Sequence, residues 1–271
     1  MSDVDSAVFE ILRNAAIADI EHEAISIIKA AEVSGQSAVT MAQQRARGTP
    51  LAYITGRQRF MGIEMLVAPG ALIPRAETEL LCKTALTAIS ITGNPSPLII
   101  DMCCGSGNLA CALAHHVPGA RVWASDLTEN CVEVASKNTE YTGVSERVVV
   151  GQGDLFEGLS GYGLEKSIDV IVCNPPYISQ GKLAAERAGL LEHEPREAFD
   201  GGPYGLSIHQ RVSKEALPYL KEGGYLLFEI GLGQERQVRM LLERAGEYTA
   251  IELVSNAAGE ARVIMARKSP A

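Results

Sequence analysis

Four places in the chain put reactive residue types directly behind apolar runs. Asp101 follows "PLII", Asp126 follows "RVWAS", Asp154 follows "VVVGQG", and Asn174-Pro175-Pro176-Tyr177 follows "IDVIVC". Proline cannot donate a ladder hydrogen bond, so the fourth run, read as a strand, stops at Asn174. The Asn174 side-chain carbonyl and the Pro175 backbone carbonyl are then two acceptors, held in fixed relation by the restricted φ angles of Pro175 and Pro176. Tyr177 can pack on the face of a planar group. Two acceptors beside a ring suit a planar N–H group such as an amide, an exocyclic base amine or a guanidinium. The lone pair of such a nitrogen is delocalised. Accepting its N–H groups orients it and stabilises the positive charge that develops as it attacks an electrophile. No strong general base is needed, because the proton can leave after the transfer.

The three aspartates indicate the electrophile. "DMCCGSG" (101–107) joins a strand-end acid to a glycine-containing turn and a helix start. Gly105 and Gly107 let the backbone approach a ligand, and a helix amino terminus offers free N–H groups. Dehydrogenase turns read GxGxxG, whereas this one begins with a carboxylate. That acid is awkward for a pyrophosphate and natural for a cofactor carrying a sulfonium and an ammonium group. Asp126 stands where a carboxylate meets ribose hydroxyls in nucleotide-binding βαβ units, and Asp154 can receive the amine of an adenine. Singly, each aspartate could be a solvated loop residue and NPPY a plain turn. Together they favour S-adenosylmethionine over NAD, with S-adenosylhomocysteine as product.

The elements that must position these residues are legible in outline. From Leu98 onward, "PLIIDM", "RVWASD", "RVVVGQGD", "SIDVIVCN", "GGYLLFEIG" and "ARVIMARK" read as strands, and helical stretches intervene. Continuous apolar strands alternating with helices predict an α/β, doubly wound, mostly parallel sheet, with ligands outside the carboxyl ends at the switch point. Upstream, residues 1–50 form a helical domain. Val8, Ile11, Leu12, Ala15 and Ala16 repeat at helical spacing, as do Ile20, Ala24, Ile27, Ile28 and Ala31. Residues 51–74 read as a β-hairpin linker, with β-like "LAYITG" and "MGIEMLV" on either side of "RQRF". Residues 75–271 form the catalytic domain, entered by a helix beginning near Ala76 with Glu77 and Glu79 at its positive end.

Composition narrows the class. The chain has 271 residues, 46% hydrophobic and 21% charged, with a formal net charge of −9. No basic stripe is present, which disfavours direct nucleic-acid binding. No apolar run approaches the roughly 18 residues of a membrane span, and the acidic start "MSDVDSAVFE" lacks the regions of a signal peptide, so a cytoplasmic location is expected. Six cysteines without a CxxC pair read as small apolar residues in and around a core, with no metal site. Oligomeric state leaves no signal.

Residues 45 to 268 resemble the HemK/PrmC family of release-factor glutamine methyltransferases. The resemblance rests on "RARGTPLAYITGRQRFMG", "LIPRAETELL", "DMCCGSGNLACALA", "ASDLTENCVEVASKN", "GDLFEGL", "IDVIVCNPPYIS", "EHEPREAFDGGPYGLSIHQRV" and "LKEGGYLLFEIG", in that order. It implies a Rossmann-like seven-stranded methyltransferase fold. It also implies that Asp101, Met102, Cys103, Cys104, Gly105 and Gly107 hold the methionine part of S-adenosylmethionine. Asp126 with Leu127 would bind ribose, Asp154 with Leu155 would frame adenine, and Asn174 to Tyr177 would hold the acceptor amide, Asn174 bordering the cofactor too. Arg75 and Glu77 would orient groups over the donor pocket, and the N-terminal helices would recognise the release factor. Three departures stand out. Cys103 and Cys104 replace the usual Gly and Thr, implying a slightly reshaped turn; Ala76 replaces a proline; and Cys173 stands where serine usually precedes NPPY. The N-terminal helical segment is short and lacks the family's usual pattern. That leaves a second acceptor class open: a free amino acid or small molecule bearing an amide or a guanidinium, such as arginine, with Glu192 and Glu194 available to pair with a guanidinium.

Overall fold

The computed structural model describes residues 3–185 and 194–270. Three helices open the chain, α1 (Asp3–Asn14), α2 (Ile20–Ser34) and α3 (Ala38–Ala46). Their stripes meet in one core of Val8, Leu12, Ala24, Ile27 and Met41 with neighbouring alanines. Asp19 accepts the His22 N–H at the start of α2, and Gly35 ends that helix in the left-handed conformation that suits glycine. Ala15 and Ala16 do not continue the α1 stripe. The helix stops at Asn14, and Ala16 itself turns the chain with φ 54°.

"LAYITG" is not β-like. It forms a short helix, α4 (Leu51–Thr55), because Pro50 supplies the φ that starts a helical turn and Gly56 closes it in the left-handed region. The hairpin's first strand lies further along the chain than the sequence suggests: "RQRF" is itself β1 (Arg57–Phe60) and pairs with β2 (Ile63–Leu66). Met61 and Gly62, both at positive φ, make the two-residue turn between Phe60 and Ile63.

Helix α5 (Glu79–Thr92) follows, starting after a turn over Ala76–Thr78 rather than at Ala76. Next come β3 (Leu98–Met102), α6 (Asn108–His116), β4 (Arg121–Asp126), α7 (Glu129–Tyr141), β5 (Val148–Gln152) and β6 (Ile168–Cys173). Then follow α8 (Gln180–Ala185), α9 (Ser207–Glu215), β7 (Leu220–Glu229), α10 (Glu235–Ala245), β8 (Tyr248–Ser255) and β9 (Ala261–Lys268). The seven-stranded sheet runs β5-β4-β3-β6-β7-β9-β8, and only the last two pairings are antiparallel. One core packs α5, α6 and α7 on one face, and a second packs α9 and α10 on the other. β8 escapes the sequence pattern because it is an edge strand buried fully only at Tyr248, with no continuous apolar run. The chain leaves β3 toward β4 and later returns to β3's other side as β6, so the switch point lies between β3 and β6.

Candidate active site

The carboxyl ends of β3, β4 and β6 and the loop after β5 open on one cleft. Met102, Cys103, Cys104, Gly105, Asp126, Leu127, Asp154, Leu155, Asn174 and Pro176 line it, with Arg75. Asp101, Gly107, Pro175, Tyr177 and Glu77 are not among its lining residues.

The turn after β3 keeps a glycine-type backbone although Cys103, its first residue, is not glycine. Cys103 has φ 59°, Gly105 φ 54° and Gly107 φ 75°. A Cβ at Gly105 would meet nothing within 4 Å, whereas one at Gly107 would stand 3.0 Å from the Ala135 Cβ of α7. Gly107 therefore lets α6 start close against α7, and the side-chain strain of the turn falls on Cys103.

Asp101 lies behind this turn. It is fully buried, and its Oδ2 accepts the Ala110 N–H at 2.9 Å. Gly107 has no side chain with which to cap α6, so Asp101 satisfies one of that helix's free N–H groups from below. Its Oδ1 has no partner, and burial raises its pKa to about 8. The acid expected to touch the methionine part is thus first a cap.

Asp126 faces the cleft. Its Oδ2 accepts the Gly105 N–H at 2.9 Å and its Oδ1 the Thr128 N–H at 3.1 Å, which fixes the carboxylate against the turn. Asp154 accepts two bonds from one Arg211 nitrogen, at 2.8 and 2.9 Å. Arg211 left no signal in the sequence, where it is one cation on an amphipathic helix. Leu155 takes φ 55°, and its carbonyl accepts the Ser125 hydroxyl at 2.8 Å. Leu127 is 62% exposed yet lines the cleft, where it offers apolar surface with Leu155 and Ile208.

On the other side of the switch point, the Asn174 Nδ2 donates to the Thr78 Oγ1 at 3.1 Å. The Tyr177 hydroxyl donates to Glu229 Oε1 at 3.3 Å and accepts from Arg262 at 3.2 Å. Burial, then the Glu229 charge, pushes the Tyr177 pKa up. The following segment is closed by Gly205, whose backbone lies so near the Tyr177 carbonyl that a Cβ would come within 2.3 Å. Sequence reasoning assigned no role to Thr78, Glu229, Arg262 or this glycine.

Over the cleft, Glu194 is buried, accepts the Ile73 N–H at 3.0 Å and pairs with Arg75. It is spent on an internal cation, which removes it as a partner for a substrate guanidinium. Glu192 lies outside the described residues. Glu77 is exposed on the turn before α5 and does not line the cleft.

The donor set fits S-adenosylmethionine. An open cradle at Gly105, a carboxylate at Asp126 and exposed apolar surface at Leu127 all line the cleft, as a ligand with hydroxyl groups, an aromatic base and a cationic part requires. Among the described residues no cluster of His, Cys, Asp or Glu could hold a metal ion, and no helix is long and apolar enough to cross a membrane.

The family model for the methyltransferase small domain matches residues 78–202. The release factor glutamine methyltransferase of Moorella thermoacetica is 38% identical over 223 residues, covering 82% of this chain and 76% of that protein. That of Xylella fastidiosa is 35% identical over 246 residues, covering 91% and 85%. Among solved structures, a methyltransferase from Pyrococcus furiosus shares the fold with a TM-score of 0.54 at 15% identity, covering 85% of this chain and 99% of its own. With this identity sustained over most of both chains, the protein belongs to the family of release factor glutamine methyltransferases.

Proposed function

We propose that the protein transfers a methyl group from S-adenosylmethionine to the side-chain amide nitrogen of the glutamine in the GGQ motif of a peptide-chain release factor, and that helices α1–α3 help recognise that protein. The names and coverage of its relatives support the acceptor. The observation that carries the chemistry is the polarity of Asn174: its nitrogen is engaged by Thr78, so Oδ1 is the atom left for an acceptor N–H. When bound, S-adenosylmethionine supplies an electrophilic methyl sulfonium.

Asn174 Oδ1 and the Pro175 carbonyl each accept one N–H of the glutamine amide. Those two bonds set the plane of the nitrogen, and they strengthen as it becomes positive. Tyr177 is tied down by Glu229 and Arg262, which holds the NPPY segment in place. The proton departs after the transfer, so none of these residues acts as a strong base. The free-amino-acid alternative loses support, because Glu194 is already paired with Arg75.

The test is incubation with methyl-labelled S-adenosylmethionine and either a release factor or a panel of free amino acids, arginine and glutamine included. Label on the GGQ glutamine of the release factor is expected. Label confined to a free amino acid would reject the proposed acceptor.

A further inference from the structure

An asparagine amide is nearly symmetric in shape, and turning it over exchanges an acceptor for a donor. If Asn174 were turned over, it would present N–H to the acceptor amide and repel the group it must hold. Shape alone does not prevent this, so a neighbour must fix the direction.

That neighbour is Thr78. Threonine just ahead of a helix ordinarily spends its oxygen accepting an N–H of the first turn. Thr78 makes no such cap bond at the start of α5, and its Oγ1 accepts from Asn174 instead. A hydroxyl has a single hydrogen. If that hydrogen pointed to Asn174, the amide would turn over; it must be drawn elsewhere.

Glu229 draws it. β6 and β7 run parallel with Cys173 opposite Phe228, so Asn174 and Glu229 leave the two strands side by side. Glu229 is 3% exposed and Thr78 2%. Oε1 of Glu229 receives Tyr177, and Arg262 lies 3.6 Å away. Oε2 is buried without a direct hydrogen-bond partner; burial pushes the pKa of this carboxyl up, and the neighbouring Thr78 hydroxyl and the Arg262 charge oppose that rise and favour its charged form. The Glu229 backbone is fixed by buried His209, whose Nε2 lies 3.0 Å from its carbonyl oxygen. An ionised carboxylate accepts only, so the hydroxyl facing it turns its hydrogen that way and its lone pairs toward Asn174.

We propose that Glu229 and Thr78 are positioning residues: the carboxylate orients the Thr78 hydroxyl, and that hydroxyl sets Asn174 with Oδ1 toward the acceptor. This rests on the proposed reading of Asn174 as the acceptor's clamp. Neither residue touches the reacting atoms.

The experiment compares Thr78→Val, Thr78→Ser and Glu229→Gln in the full-length protein. Thr78→Val and Glu229→Gln are expected to lower kcat on the release factor about 10²-fold, with the Kd for S-adenosylmethionine within about threefold of wild type, whereas Thr78→Ser keeps kcat within about threefold. Wild-type kcat in Thr78→Val overturns the proposal, as does a Thr78→Ser variant as impaired as Thr78→Val. A second measurement needs no acceptor and no variant that folds. In ¹⁵N-labelled wild-type protein, one of the two Asn174 side-chain N–H protons is expected to exchange slowly with solvent. Fast exchange of both overturns the proposal. If wild-type protein labels no release factor while that slow proton is present, the acceptor assignment fails and the positioning inference stands.

Discussion

Cys103 carries a side chain in a backbone conformation that suits glycine, with φ 59°. The cost of that conformation is about 1 kcal/mol. Cys103→Gly is therefore expected to raise the thermal midpoint by about 2–4 °C, and Cys103→Val, whose branched Cβ tolerates positive φ less well, to lower it. A lower midpoint in the glycine variant would show that the cysteine's packing outweighs its strain. The departure from the family's glycine was readable in the sequence; which residue of the turn would absorb the strain was not, because that depends on Gly107 being pressed against α7. Asp101 shows the same limit. Its place at a strand end is visible in the sequence, yet its first task is set by an uncapped helix folded above it. Burial raises its pKa from 3.8 to about 8. Between those values the folded protein holds a proton that the unfolded chain releases. This group's contribution to stability is full below about pH 4 and is lost as pH rises through about 8. Urea unfolding of ligand-free Asp101→Asn against wild type should show a difference that shifts in favour of the variant from pH 5 to pH 8.5. A difference independent of pH would contradict the assigned burial of the charge.

Among the elements, the β1–β2 hairpin is anchored by several side chains, and the most deeply buried of them, Asn138, has no role that sequence reasoning assigned. Buried Asn138 of α7 accepts the Leu66 N–H at 2.7 Å and donates to the carbonyls of Leu66 and Ser106 at 3.0 and 2.9 Å. It thereby ties the hairpin to the turn that precedes α6. Asn138→Ala leaves three backbone groups without that partner and is expected to destabilise the fold by roughly 3 kcal/mol, read by denaturant unfolding; a loss under about 1 kcal/mol would mean that water or a rearranged hairpin replaces the bonds. Elements with an unbroken apolar run, such as β3 and β6, were legible because both faces of the sheet are covered. α4 and β1 were misread because they are short and their form is set by Pro50 and by the Met61–Gly62 turn. β8 was missed because an edge strand half in solvent has no such run.

At the scale of the whole molecule, the sheet divides the work at its switch point. The ends of β3 and β4 and the loop after β5 bring Gly105, Asp126, Leu127 and Asp154 to the cleft in which the cofactor is proposed to sit. β6, β7 and the start of α5 bring together Asn174, Tyr177, Glu229 and Thr78, the group proposed to hold the acceptor. Arg75 and Glu194 close the segment between them. The NPPY segment and the aspartate series could be located in the sequence because each stands at or just after a strand end. The buried carboxylate and threonine behind the clamp could not, because β7 and α5 are brought to it only by folding. On the proposed reading, Asn174 serves the acceptor rather than cofactor affinity although it lines the same cleft, and Asn174→Ala is the variant that tests it. Single-turnover methyl transfer to the release factor and the Kd for S-adenosylmethionine, measured on the same preparation, decide the matter. A loss of transfer of about 10²–10³-fold with the Kd within about threefold of wild type is expected. Transfer within tenfold of wild type, or a loss of transfer matched by an equal loss of cofactor affinity, would contradict it.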